Sequence, residues 1–314
     1  MPSTEVEITE IPDLSAGESA LVDLHSIMNV LNVICGELTL LGLALADDAD
    51  LLKPALNLCD RMRLNLVDPD SSLRDASRIR EIIQEIDASV AQEIERRPDR
   101  VFHPDVHESV SNLHSVFRVL ETRAREVVVR AQSPADWIEF SVEELRRDCH
   151  SIFSAIEKNS RGRFRIVYIL SQKEPTDYFL NLAIEAANHR TIAMPWSFRD
   201  VMRDLMANAR KYTQPGGTIN AGLVESPQAL TLIVTDTGRG IPPEELRTVV
   251  AFRKRGSNVG EVRTMGGGFG LTKAFVVTKQ FGGRIWIRSE LGVGTRIKIE
   301  IPRPGRGEAD GRRA

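Results

Sequence analysis

The side chains able to do chemistry gather in the last third of the chain. In DLMANARKYT, Asp204 to Thr213, helical spacing puts Asp204, Asn208 and Lys211 on one face. A carboxylate and an amide oxygen side by side suit a hydrated Mg2+, which takes few protein oxygens and keeps several waters. A lysine beside them suits phosphate oxygens, although the same pattern also serves as a solvated helix face. In DTGRGIPP, Asp236 to Pro243, a carboxylate ends an apolar run where it can accept a hydrogen bond from an adenine amino group. Gly238 and Gly240 beside it permit positive φ and close backbone approach, or simply a tight turn. GGGFGL, Gly266 to Leu271, opens a helical stretch, and glycines there offer backbone N–H groups and the helix dipole to an anion. Its context is neither a Rossmann strand nor a Walker lysine. ELGVGT, Glu290 to Thr295, is a glycine-punctuated turn between two strand-like runs.

The elements that must hold these residues change character along the chain. Apolar residues recur at helical spacing over 18–46, 51–66, 73–96 and 104–130, which predicts a helical bundle. Asp68-Pro69-Asp70 with Ser71-Ser72 reads as a capped turn, and Arg97-Pro98 as a stop. Beyond it, strands are expected at 163–170, 221–224, 230–235, 284–289 and 295–301, with helices at 142–158, 178–188, 198–212 and 271–280. The fold class is therefore α+β: an N-terminal helical bundle or hairpin, then an α/β sandwich with helices on one face of a mixed sheet.

Composition narrows the partners. A net charge of −3 over 314 residues gives no general pull toward nucleic acid or an anionic membrane. The most apolar stretch, 20–46, is interrupted by Asp23, His25, Asn29, Asn32 and Glu37, each costly at a bilayer centre, so a buried helix in a cytoplasmic protein is expected, without membrane insertion. Cys35, Cys59 and Cys149 are odd in number and far apart in sequence, which suits reduced core thiols rather than a disulfide framework or a zinc site.

In order and spacing the four motifs resemble the N, G1, G2 and G3 boxes of the Bergerat, or GHKL, ATP-binding fold. KYTQPGG, IWIRSELGVGT and IKIEIP make the chain similar to sensor histidine kinases in particular, over about 140–302. The resemblance divides the chain into a flexible lead-in at 1–17, a helical dimerisation and histidine-bearing domain at 18–135, an ATP-binding catalytic domain at 138–302 and a disordered tail at 303–314. It implies ATP with Mg2+ as cofactor. Asn208 would ligate the metal, Lys211 contact phosphate and Tyr212 lie against adenine. Asp236 would take the adenine amino group, with Thr295 near it, while Gly238 and Gly240 shape the pocket and Gly266, Gly268 and Gly270 line the phosphate side. Ala251 to Met265 would form a lid, with Phe252 at the F-box position and Arg253, Lys254, Arg255 and Arg263 able to neutralise phosphate. Asp204 stands where many members carry Asn or Glu, and Phe269 where Leu is common.

The same resemblance makes His25, in DLHSIMNVLNVICGEL, the phosphoacceptor on the first helix. The acid that normally follows it is Ser26 here, which removes the usual base, and the expected proline is Val30. Asn29 matches the position that orients water in the family's phosphatase reaction. His107, followed by Glu108, is the rival acceptor, His103 and His107 share metal-ligand spacing, and a structural histidine in a bundle seam is the plain alternative. The function implied is a soluble two-component histidine kinase that autophosphorylates on His25 and passes the phosphoryl group to an aspartate of a response-regulator receiver domain, as a homodimer through its helices. Two alternatives stand beside it: a degenerate nucleotide-binding regulator or phosphatase without autokinase activity, and a serine-directed kinase of the same fold.

Overall fold

The structure, a computed structural model, describes residues 5–132, 137–160, 162–260 and 268–304. Gly266, Arg263 and the rest of 261–267, and the tail from 305, lie outside the described residues. The chain forms two compact units, one built on residues 13–134 and one on residues 1–12 together with the chain from 135 onward. In chain order the elements are β1 (Val6–Ile8), α1 (Ala16–Ala46), α2 (Lys53–Asn65), α3 (Pro69–Ser77), α4 (Ile79–Glu95), α5 (Pro104–Gln132), β2 (Trp137–Ser141), α6 (Val142–Asn159), β3 (Ile166–Val167), β4 (Tyr178–Glu185), β5 (Thr191–Pro195), α7 (Trp196–Tyr212), β6 (Thr218–Glu225), β7 (Ala229–Asp236), α8 (Gly270–Gln280), β8 (Arg284–Glu290) and β9 (Gly294–Pro302).

The first unit is helical. A capping box starts α1: the Ser15 hydroxyl accepts from Glu18 N at 3.3 Å, and the Glu18 carboxylate accepts from Ser15 N at 2.9 Å. Leu24, Ile27, Leu31, Ile34, Leu38, Leu41 and Leu45 then form one buried seam, closed by Leu113, Phe117, Leu120 and Ala124 of α5. By length and composition alone α1 could cross a membrane; in the fold its seam is committed to this bundle core. The single helix expected at 73–96 is two. Asp68 caps α3 through Ser71 N at 3.0 Å, so Ser71 and Ser72 lie inside the helix, and the chain breaks at Arg78, where φ is −105° and ψ 16°.

The second unit carries a mixed sheet in the order β1-β8-β9-β7-β6-β4-β3, with β2 and β5 paired separately. Among the described residues, only the β3–β4 and β4–β6 pairings are parallel. Alternation puts Ile219, Leu223, Leu232, Val234, Ile285, Ile287, Ile297 and Ile299 on one face, where they are buried with Phe198, Val201, Leu205 and Met206 of α7 and Ala274 and Val277 of α8. This is the expected α+β layer, helices on one face of a mixed sheet.

Several expected elements differ. Tyr178–Glu185 is a strand, not a helix: Tyr178, Leu180, Leu182 and Ile184 are buried at strict period two, and parallel pairing to β6 consumes the backbone groups. The strand expected at 163–170 pairs only at Ile166–Val167 and continues as a 3-10 turn at Leu170–Gln172. Strands β2 and β5 were not expected, and neither was β1 within the lead-in. β1 adds to β8 with Ile8 opposite Ile285, and Glu7 takes a two-pronged ion pair from Arg284 at 2.9 and 2.5 Å. Ile8 is only 2% exposed.

All three tryptophans, Trp137, Trp196 and Trp286, belong to this second unit and report on it alone. Ile8→Ala should lower its stability by about 2 kcal/mol, the usual cost of emptying a buried aliphatic site. A urea titration followed by tryptophan fluorescence reads this as a lower midpoint; an unchanged midpoint would contradict the place of β1 in the core.

Candidate functional site

The alternation that buries Leu230, Leu232 and Val234 puts Asp236 next on the same helix-covered face, opposite Thr295 of β9 and Ile219 of β6. A carboxylate thus stands where the pattern would place another core side chain. Burial pushes its pKa up to about 6, while hydrogen bonds from Gly238 N at 2.8 Å and Thr295 N at 3.3 Å to Oδ1 work the other way. The two donors hold Oδ1 and fix the plane of the group.

The neighbouring turns leave no room for side chains. A Cβ on Gly238 would lie 2.6 Å from Tyr212 O and 2.7 Å from Asp236 Oδ1. Gly240 has φ +72°, and its Cβ would lie 2.1 Å from Glu290 O. Ser289 staples the two turns together. Its hydroxyl accepts from Ile241 N at 2.8 Å, donates to Gly294 O at 2.9 Å and meets Thr295 Oγ1 at 2.8 Å. Ser289 was not singled out in the sequence, where a lone serine in a strand carries no signal. Tyr212 closes the same corner by accepting from Arg239 N at 3.1 Å. Lys211 Nζ sits 5.1 Å from the Tyr212 ring centre, and burial, aided by the Arg255 charge, lowers its pKa to about 8.

On the other side, the first turn of α8 rests on Asn208 of α7: a Cβ on Gly270 would lie 2.7 Å from Asn208 Nδ2. Gly268 has φ +81° and lies against the Arg253 backbone. The Phe252 and Phe269 rings pack at 5.2 Å with the Arg253 guanidinium over both, and Thr272 Oγ1 donates to Ala251 O at 3.1 Å, so the start of the expected lid is tied to α8. The structure therefore brings Tyr212, Asp236, Gly238, Gly240 and Thr295 together at one corner, and Asn208 together with Gly270 at the helix N-terminus. Among the described residues no three of His, Cys, Asp and Glu gather as a metal cage. A single amide oxygen at a helix N-terminus fits a Mg2+ that arrives with nucleotide phosphates, which takes one or two protein ligands.

Asp204 is placed differently from the expectation that it faces a ligand with Asn208. Its Oδ2 lies 3.6 Å from Lys273 Nζ, and Lys273, fully buried, also reaches Asp200 Oδ2 at 3.1 Å. Asp200 pairs in turn with Arg203. Sequence reasoning missed Lys273 and Asp200, yet a signal existed: Phe269, Lys273 and Val277 share one four-residue row, so the lysine fell on the core stripe.

In the helical unit His25 is buried, 6% exposed, with Nδ1 3.0 Å from Val22 O. A carbonyl only accepts, so Nδ1 is the donor in this contact. Asn29 Oδ1 is buried without a hydrogen-bond partner. His103 and His107 are exposed, and His114 Nε2 lies 3.0 Å from Asp87 Oδ1. His150 stacks on Tyr168 at 4.0 Å.

With this geometry in hand, residues 195–305 match the family described as Histidine kinase-, DNA gyrase B-, and HSP90-like ATPase. Over 111 residues the chain is 37% identical to the adaptive-response sensory kinase SasA of Synechococcus elongatus, covering 35% of this chain and 28% of that protein. Over 141 residues it is 32% identical to the sensor protein SrrB of Staphylococcus aureus, covering 42% of this chain and 23% of SrrB. The matched stretch thus spans about a quarter of these relatives' length. Among solved structures, the catalytic domain of histidine kinase ThkA aligns with a TM-score of 0.38 at 19% identity, over 53% of this chain and 95% of that one. The mycobacterial sensor histidine kinase MprB gives 0.37 at 20% identity, over 53% and 97%.

The buried lysine yields a test. Lys273→Met should destabilise the second unit by about 3 kcal/mol, because it removes the fully buried cation that the buried Asp200 and the half-buried Asp204 face. Adding Asp200→Asn should then recover part of that loss, giving a non-additive double-mutant cycle in urea denaturation. Strictly additive effects would contradict the network.

Proposed function

We propose that this chain is an ATP-dependent protein histidine kinase of the two-component type, soluble and cytoplasmic. The observation that carries the reading is the half-enclosed Asp236 carboxylate in a glycine-walled corner, within a stretch that matches an ATPase family including histidine kinases. Asp236 accepts the adenine amino proton, with Thr295, Gly238 and Gly240 shaping that corner and Tyr212 against the base. The glycines Gly266, Gly268 and Gly270 and the α8 N-terminus receive the phosphates, with Lys211 as a point charge. Asn208 would hold Mg2+, which neutralises phosphate charge when bound. Asp204, through Lys273, holds α7 against α8.

His25 is the acceptor. Its Nε2 lone pair attacks the γ-phosphorus, the N–P bond forms as the bond to the ADP oxygen breaks, and the phosphoryl group then moves to a receiver-domain aspartate. Burial of the ring requires the start of α1 to open before transfer. The exposed Leu40 and Leu43 of α1 support a homodimer through the helical unit. The α1 seam packed into the bundle supports a helix that does not span a membrane.

One set of observations favours a second reading, a nucleotide-binding regulator or phosphatase without autokinase activity: buried His25, Ser26 in place of an acid, and the unpartnered amide oxygen of Asn29. Incubation with γ-labelled ATP separates the two. The kinase reading predicts acid-labile label on wild type and His107→Ala, and none on His25→Ala. Label persisting on His25→Ala would overturn the acceptor, and nucleotide binding without any label would favour the second reading.

A further inference from the structure

Asn258 stands outside the four motifs, yet it grips the turn beside Asp236. It lies in a short 3-10 turn, Ser257–Val259, 18 residues beyond Gly240. Asn258 Nδ2 donates to Gly240 O at 2.9 Å, and Asn258 O accepts from Arg239 Nη1 at 3.4 Å. Each segment thus supplies the other with a donor and an acceptor. Nearby anchors hold Asn258 in place: Ser257 N donates to the Glu245 carboxylate at 2.9 Å, and Val259 is buried. Gly240 is pinned on its other side as well. Its φ is +72°, and a Cβ there would lie 2.1 Å from Glu290 O. Ile241 N is taken by Ser289 Oγ at 2.8 Å, and Arg239 O accepts from Gly292 N at 2.9 Å. The Asn258 amide completes the set by fixing the direction of the Gly240 carbonyl. The same stretch reaches the other end of the site. Ala251 O accepts from Thr272 Oγ1 at 3.1 Å, and Phe252 packs on Phe269 just before α8. Residues 251–259 run as a strap from the first turn of α8 to the turn at Gly240.

We propose that Asn258 is a positioning residue for nucleotide binding, the latch by which this strap couples the adenine corner to the phosphate end. The inference rests on the assignment of those two ends in the proposed function. Ordering the Gly240 turn around a base orders Asn258, then the strap and, through Ala251 and Phe252, the start of α8. A ligand that occupies both ends orders these groups once, so the two halves of the nucleotide assist each other. Neither half has to touch Asn258. Breaking the latch leaves each end able to bind and removes the assistance between them.

Calorimetric titrations of the full chain with adenosine, and with ATP and Mg2+, on wild type and Asn258→Ala test this. Adenosine reaches only the adenine corner, and ATP reaches both ends. In Asn258→Ala the preference for ATP over adenosine should fall by about tenfold, the scale of one hydrogen bond, with adenosine affinity changed by less than about threefold. Equal weakening of both ligands marks a merely structural contact and overturns the proposal, as does an unchanged preference. A second measurement needs no variant. In wild type, saturating adenosine should slow amide hydrogen exchange over 251–259 and the first turn of α8, although it carries no phosphate. Protection confined to the turn at 236–241 would contradict the latch. Wild type that binds neither ligand would overturn the nucleotide assignment itself, and the latch with it.

Discussion

A carboxylate on the wrong side of a sheet is the constraint around which the second unit is organised. Asp236 continues the row of Leu230, Leu232 and Val234 into the layer between sheet and helices. Its pKa near 6 lies above the unfolded value, so ionisation at neutral pH weighs against folding. The sign is definite: that contribution to stability is fully present below the unfolded pKa and is lost as pH rises through about 6, a cost of about 3 kcal/mol by neutral pH. A purely structural residue would be better apolar there. The two backbone donors on Oδ1, the Ser289 staple and the side-chain-free Gly238 and Gly240 make sense as the means of keeping an expensive group in one orientation.

The helix layer meets a related constraint with opposite charges. Lys273 is buried under the first turns of α8, and Asp200 and Asp204 of α7 answer it. The same two helices carry Gly270 and Asn208, which approach closely. The attachment of α7 to α8 through Lys273 and of Asp236 to β9 through Thr295 N both lie within the one unit.

Much of this was legible in the sequence, because the relevant residues are local. A glycine beside a strand-terminal aspartate, and glycines opening a helix, announce backbone approach regardless of the fold around them. What stayed hidden depends on distant partners. Tyr178–Glu185 is apolar enough to pass for a helix, and only its pairing with β6 shows which period matters. Val6–Ile8 is too short to read as a strand until β8 is beside it. Lys273 falls on the core stripe of its helix, but the acids that answer it are some seventy residues upstream. The bundle-seam alternative for His25 matches its burial in the helical unit.

The account stands or falls on Asp236 as the adenine acceptor. Calorimetric titration with ATP and Mg2+, on wild type and Asp236→Asn, tests it directly. The ionised carboxylate accepts the amino proton and the protonated acid loses that capacity, so wild-type affinity should weaken, by about tenfold, as pH falls from about 7.5 to about 5. Asp236→Asn should bind at least about tenfold more weakly at neutral pH and lose the pH dependence. Equal affinity for the two proteins, with the same pH response, would contradict the account.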